Sequence, residues 1–282
     1  MILFKKAESL SRYLSQQKNE GVQIGFVPTM GALHQGHISL IEAAKKENRL
    51  TVCSIFVNPT QFNNSSDFQH YPVTTDKDIE KLLAAGCDVL FLPLAEEIYP
   101  PGFLARHYDL GSLETVLEGH YRPGHFQGVC QVIERLLEIV QPNRLYLGAK
   151  DFQQVKVITR LLHLLGKQDE IAVRMEPTLR ENDGLAMSSR NLRLSAEQRA
   201  LAPVIYTVLS SIKEKYKAGN KSLPQLEEQA ASELEKNGFA VDYLQIRDAD
   251  TLLSPTADSK HIVVLTAAAL GEIRLIDNLP LN

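Results

Sequence analysis

Val22-Gln-Ile-Gly-Phe-Val27 is a short apolar run that opens directly into Pro28-Thr-Met-Gly-Ala-Leu-His-Gln-Gly-His37. Behind that loop, His37 to Glu47 places apolar residues at Ile38, Ile41 and Ala44, the spacing of one helix face. The pattern predicts a strand, a glycine-bearing loop and a helix in succession, the opening of a β–α unit. Leu50 to Val57 follows, rich in β-branched residues and apolar almost throughout, as expected of a strand covered on both faces.

The alternation continues outward from that unit. Asp76 to Ala85 predicts a helix ending at Gly86, and Asp88 to Leu92 a strand stopped by Pro93. Gly128 to Val140 carries a stripe of Val129, Val132, Ile133, Leu136, Leu137 and Val140, a helix that stops before Pro142. Arg144 to Leu147 predicts a strand, Asp151 to Leu165 a helix and Ile171 to Met175 a strand. Such alternation implies an α/β fold, a Rossmann-like doubly wound parallel sheet with helices on both faces. Its ligands belong outside the carboxyl ends of the strands, near the point where strand order reverses.

The last third changes character. Ala196 to Ala218 predicts one long helix and Leu223 to Asn237 a second, charged one. Strand patterns follow at Val241 to Arg247, His261 to Leu265 and Glu272 to Ile276, which together make a smaller C-terminal α+β unit. The composition shift near Pro177 places a boundary there, with domains over 1–176 and 177–282.

Composition narrows the class. The chain has 282 residues, 44% hydrophobic and 23% charged, with a net charge of −4, so a disordered chain is excluded and one large or two modest domains are expected. A sequence-independent nucleic-acid binder is usually basic, and here Lys and Arg are interspersed with Asp and Glu. Cys53, Cys87 and Cys130 are odd in number and far apart, which argues against a disulfide scaffold or a cysteine zinc site. Buried thiols in a reducing compartment are the simpler expectation. Met1-Ile-Leu-Phe-Lys-Lys6 does not have the order of a signal peptide, and no apolar run reaches the roughly 18 residues that span a bilayer.

Five segments have chemistry to offer. His34 and His37 flank Gly36 at a predicted helix start, where unpaired N–H groups and the helix dipole favour an anion. Two imidazoles at that spacing suit the charge on a leaving pyrophosphate, though two surface histidines in a loop would look the same. Ala186-Met-Ser-Ser-Arg-Asn191 sets two hydroxyls beside a guanidinium able to grip phosphate, and also occurs in ordinary loops. Leu147-Gly-Ala-Lys-Asp-Phe-Gln-Gln154 puts Lys150 past a predicted strand, either on a phosphate or in solvent. Phe56-Val-Asn-Pro-Thr-Gln-Phe62 offers the neutral amides of Asn58 and Gln61 for hydroxyl or carboxylate recognition, or simply a proline turn. Arg122-Pro-Gly-His-Phe126 precedes a helix with a basic residue on either side of the turn. Three of the five follow predicted strands directly.

Taken in order, these segments resemble the pantothenate synthetase (pantoate–β-alanine ligase) family within the wider HxGH nucleotidylyl-transferase group. The resemblance runs over essentially the whole chain and adds Tyr71-Pro72, Gly128-Val129 and Arg274-Leu-Ile-Asp-Asn278 to the motifs above. The two-histidine segment alone would indicate only the wider group; Asn-Pro-Thr-Gln-Phe, Lys-Asp-Phe-Gln-Gln and Met-Ser-Ser-Arg-Asn make the match specific. The resemblance implies a cytoplasmic homodimer with small-molecule substrates and no nucleic-acid or membrane partner. It also implies ATP-dependent adenylation of pantoate, then capture of the pantoyl adenylate by β-alanine.

The resemblance also implies roles. His37, His34, Lys150 and Arg190 act in catalysis, with His37 a proton donor. ATP lies against Met30, Gly31, Ala32, Leu33, His34, Gln35, Gly36 and His37, against Gly148, Ala149, Lys150 and Asp151, and against Leu179, Met187, Ser188, Ser189 and Arg190. Gln61 and Gln154 hold pantoate, and Gln61 also meets β-alanine. Magnesium bridges the phosphates with no protein cage, and 177–282 serves as a lid. Four positions depart from the family pattern: Ala149 stands for Glu, Ser66 for Glu, Val73 for Arg and Ile273 for Thr. Another acid or amine, or a nucleotide-binding module without turnover, are the competing readings. The retained His37, Lys150 and Ser188-Ser-Arg190 speak for turnover.

Overall fold

The computed structural model describes residues 1–63 and 65–282, of which 65 and 66 are described by their backbone only. The chain divides into two units: Met1–Gly111, Arg122–Ala149 and Gln154–Pro177 form the first, and Ser112–Tyr121, Lys150–Gln153 and Thr178–Asn282 the second.

The first unit is built on a six-stranded, all-parallel sheet in the order β1-β4-β3-β2-β5-β6. The strands are β1 (Ile2–Phe4), β2 (Ile24–Thr29), β3 (Leu50–Ile55), β4 (Val89–Phe91), β5 (Arg144–Gly148) and β6 (Ala172–Glu176). Every residue of β3 is buried, Thr51 and Ser54 included, as expected of a strand between two helical layers. From β2 the order runs outward through β3 and β4, and from β5 outward to β6. The reversal therefore falls between β2 and β5, whose carboxyl ends carry Met30–His37 and Gly148–Ala149.

Helix Gln35–Glu47 buries Ile38, Leu40, Ile41 and Ala44, and helix His125–Val140 buries the whole predicted stripe. The latter ends at Gln141 with a left-handed φ of 47°, and Pro142 prevents its continuation. Cys53, Cys87 and Cys130 are all free and buried. Burial pushes the Cys87 thiol up to about 11, so it stays protonated and inert at neutral pH.

The second unit holds the antiparallel sheet β7 (Ala240–Asp248), β8 (Ile262–Leu270) and β9 (Ile273–Pro280) in sequence order. Both faces of the central strand are covered. Ile262, Val264, Ala268 and Leu270 join a core with helices Val204–Lys217 and Leu223–Lys236, and Ile273 packs there too. Val263, Leu265 and Ala267 pack with Leu117 and Phe152, from the two short pieces of chain that precede the main body of this unit. Burial on both faces explains why Ile262–Leu270 is apolar without alternation apart from Thr266.

The structure corrects one expectation and adds elements at the N-terminus. The long helix over 196–218 is two helices, Ala196–Leu201 and Val204–Lys217. Pro203 has no N–H for the ladder and forms the joint between them. Strand β1 and helix Ala7–Asn19 were not anticipated. Among the described residues no helix is long and apolar enough to cross a membrane.

Candidate active site

In the first unit the chain leaves β2 through a turn that it could not hold unaided. Gly31 has φ +83° and Ala32 φ +48°, a left-handed pair of which only the first is glycine. Asp78, 1% exposed in helix Thr75–Ala84, accepts the Ala32 N–H at 2.9 Å and the Leu33 N–H at 2.8 Å. The Lys81 ammonium donates to the Leu33 carbonyl from the same helix. One helix thus fixes the backbone that precedes the two histidines.

His34 and His37 are half-buried and belong to the start of helix Gln35–Glu47 rather than to an open loop. His34 Nδ1 accepts the Gly36 N–H, and His37 Nδ1 accepts the His34 N–H, each at 3.2 Å. The two rings lie 4.0 Å apart, centroid to centroid. A neutral imidazole whose Nδ1 accepts carries its proton on Nε2. Capping therefore turns both rings into Nε2–H donors, side by side at the positive end of a helix. Such an arrangement suits an anion.

Beyond β3, Asn58 begins the 3-10 turn Pro59–Gln61. The sequence suggests Asn58 as a recognition group, and the structure gives it another task. It is 1% exposed, with its oxygen accepting the Tyr99 hydroxyl at 2.8 Å and its amide donating to Gln61 Oε1 at 3.0 Å and to the Gly128 carbonyl at 3.1 Å. Asn58 aims Gln61. The Gln61 amide in turn lies 3.2 Å from Met30 Sδ, so an expected pantoate residue sits beside an expected nucleotide residue.

The main chain of Gln61 is held from the Arg122–Phe126 motif. His125 Nδ1 lies 2.8 Å from the Gln61 carbonyl, and its Nε2 lies 3.1 Å from the Arg122 guanidinium. A carbonyl only accepts and a guanidinium only donates, so the ring is neutral with its proton on Nδ1. Sequence reasoning named this motif without a role, and the structure shows two of its side chains, Arg122 and His125, at the Gln61 carbonyl. Gly128 explains the close approach. A Cβ there would meet the Thr60 carbonyl carbon at 2.5 Å and the Gln61 nitrogen at 2.8 Å. Gln154 is half-buried in the first turn of helix Phe152–Leu164.

In the second unit, Lys150 and Asp151 close the 3-10 turn Ala149–Asp151, with Lys150 Nζ 3.3 Å from Asp151 Oδ1. Leu179 and Met187 are joined by a backbone bond of 3.0 Å. Ser188 then caps the 3-10 turn Ser189–Arg193 by accepting the Arg190 N–H at 3.3 Å. Ser189 is buried, whereas Ser188 and Arg190 are half-buried. Glu118, from the short piece 112–121, takes Arg274 in two contacts of 2.9 and 2.8 Å, and the Tyr243 hydroxyl at 2.9 Å. Burial works against the Arg274 charge, but Glu118 and Asp242 outweigh it and raise its pKa. That cluster explains the arginine of the last family motif as a structural anchor.

Of the departures from the family pattern, Val73 is 74% exposed and Ile273 is a core residue. Ala149 contributes backbone to its turn. The Ser66 side chain lies outside the described residues.

Comparison with known proteins gives a consistent result. Residues 2–280 match the model of the pantoate–beta-alanine ligase family. A pantothenate synthetase of Pseudomonas fluorescens (strain Pf0-1) is 48% identical over 279 residues, covering 99% of this chain and 97% of that protein. A crystal structure of pantothenate synthetase from Thermus thermophilus superposes with a TM-score of 0.93 at 41% identity, covering 100% of this chain and 99% of that one. A pantoate–beta-alanine ligase from Francisella tularensis, solved in complex with beta-gamma ATP and beta-alanine, gives 0.84 at 37% identity, covering 100% and 98%.

Proposed function

Because this chain belongs to the pantoate–β-alanine ligase family, we infer that it joins pantoate to β-alanine at the expense of ATP, releasing pantothenate, AMP and pyrophosphate. It is a ligase of pantothenate biosynthesis, and ATP is its substrate. The observation that best supports the site assignment is the pair of capped imidazoles where strand order reverses.

In the first step a pantoate carboxylate oxygen attacks the α-phosphorus of ATP. The bond from that phosphorus to the bridging oxygen breaks, and pyrophosphate leaves. Negative charge grows on the departing phosphates, which the Nε2–H groups of His34 and His37 meet as donors. Lys150 and Arg190 add positive charge, and Ser188 and Ser189 add hydroxyls. The backbone of Met30–His37, Gly148–Asp151 and Leu179 holds the rest of the nucleotide. Gln61 and Gln154 bind pantoate through neutral amides, which suit a hydroxy acid. In the second step the free amine of β-alanine, oriented by Gln61, attacks the acyl carbon. The nitrogen loses a proton and AMP leaves with the carboxylate oxygen that formed the adenylate. The protein's part throughout is positioning and charge stabilisation.

Magnesium fits this scheme as part of the nucleotide substrate. Phosphate oxygens would be its main ligands there, as is usual for a magnesium ion that enters with a nucleotide. We assign residues 1–176 to nucleotide and pantoate binding, and 177–282 to the lid role. The homodimer is proposed on the family resemblance alone. Three reduced, buried thiols support a cytoplasmic setting.

Pantoate labelled with 18O in its carboxylate tests the route. Transfer of one label into AMP is expected. Label confined to pantothenate and pyrophosphate would overturn the adenylate.

A further inference from the structure

Asp277 and Asn278, near the end of β9, are each only 4% exposed, yet neither has a part in the chemistry proposed above. They pair with Thr266 and Leu265 of the central strand β8, the best-supported position in the second unit's sheet. Asp277 takes Arg180 at two points, 2.6 and 2.9 Å, and accepts the Asn278 N–H at 2.7 Å. Arg180 donates back to the Asn278 carbonyl at 3.2 Å and stacks 4.2 Å over the Tyr206 ring. The Asn278 backbone is thus held from both sides, with no freedom to follow its side chain.

From this base the Asn278 side chain donates its Nδ2–H to the carbonyl of Lys150 at 2.9 Å. Lys150 itself lies in a 3-10 turn and has no strand or α-helix to fix its direction. Its side chain is only 17% exposed, low for a lysine, and its ammonium lies 3.3 Å from Asp151. A long flexible side chain contributes to a charged site in proportion to how far its freedom has already been removed. Lys150 is restrained at both ends, at the ammonium by Asp151 and at the carbonyl by Asn278.

We propose that Asn278 is a positioning residue for adenylation. Its amide sets the backbone of Lys150, and through it the direction in which the ammonium is presented to the nucleotide phosphates. The inference rests on the phosphate role assigned to Lys150 in the proposed function. It adds a residue that acts through Lys150 and lies 128 positions away in the sequence.

A double-mutant cycle on the full-length enzyme tests it. Pyrophosphate release in a single turnover with ATP, magnesium and pantoate is measured for the wild type, Asn278→Ala, Lys150→Ala and the double variant. Asn278→Ala is expected to slow adenylation about tenfold, within the range of coupling between groups in contact. In the Lys150→Ala background the same substitution should change the rate less than about twofold, because no ammonium remains to be placed. Asn278→Asp repeats the measurement at unchanged volume, setting a carboxylate against the Lys150 carbonyl, and serves where the alanine variant does not fold. Equal fold-losses in both backgrounds, with Lys150→Ala itself impaired, would overturn the positioning role while leaving the Lys150 assignment intact. Wild-type adenylation by Lys150→Ala would remove that assignment, and the inference with it.

Discussion

Replacing Asp78 with alanine removes the support of the turn that presents the two histidines. The carboxylate accepts the Ala32 and Leu33 N–H groups at 2.9 and 2.8 Å, and the Thr74 hydroxyl at 3.1 Å. Ala32 and Leu33 are 3% and 2% exposed, so water does not readily take the carboxylate's place. A hydrogen bond to a charged group contributes about 1.5–3 kcal/mol, and Ala32 also holds a left-handed φ that costs about 1 kcal/mol. Two such bonds sum to about 3–6 kcal/mol, from which the relieved cost of burying a carboxylate is subtracted. We expect a net loss of about 2–4 kcal/mol, which lowers the melting temperature of a unit of this size by roughly 5–12 °C. Urea denaturation measures the first figure and a thermal melt the second. ATP binding, measured well below the melt, should weaken at least about fivefold, since the Met30–His37 backbone loses its setting. Asp78→Asn should not rescue it, because its NH2 group must face one of the two backbone N–H donors. A stability within about 0.5 kcal/mol of wild type and unchanged ATP affinity would refute the reasoning.

His37→Ala should cut adenylation at least about a hundredfold, the lower range for a lost charge-stabilising donor, measured as pyrophosphate release. It should also cost about 0.5–2 kcal/mol of stability, because His37 completes a capping box and does not sit in a free loop. Gln61→Ala should raise the KM for pantoate more than that for ATP. Gly128→Ala should do the same at a distance, since its Cβ would push against Thr60 and Gln61; steady-state kinetics with each substrate varied decides both. Asp248 is held down to about 2 by the Ser259 hydroxyl, then by the Thr251 N–H and hydroxyl and the Asp250 N–H. Its folded pKa lies below the unfolded value of 3.8, so its contribution is present above about pH 4 and is lost as pH falls through about 2. Denaturation midpoints of Asp248→Asn should lie below those of wild type at pH 7 and converge with them by about pH 2.

The inner strands of the doubly wound sheet were legible because they are buried between helical layers, so β2 to β5 stand out as apolar runs between helical stripes, whereas β6 lies at the sheet edge with no residue fully buried. β1 is three residues long with Ile2 and Leu3 exposed at the sheet edge, too short and too open to leave such a pattern. The break at Pro203 was legible in principle, since proline cannot extend a helix, but the apolar spacing on either side masked it. In the candidate site, residue types revealed donors and acceptors without their partners. His34 and His37 stood out as a pair, whereas the capping that fixes their tautomer needs coordinates. Asp78, His125 and Asn278 hold residues 45, 64 and 128 positions away. No local spacing encodes such contacts. The attachment of 112–121 to the second unit through Glu118 and Arg274 is another of this kind, across 156 positions.

The most direct test of the central claim is AMP formation from ATP and magnesium, with pantoate and β-alanine supplied separately and together. The account predicts that sustained AMP release requires both, with pantothenate appearing in equal amount. Measurable ATP binding without AMP in the presence of both substrates, or AMP release that ignores β-alanine, would contradict it.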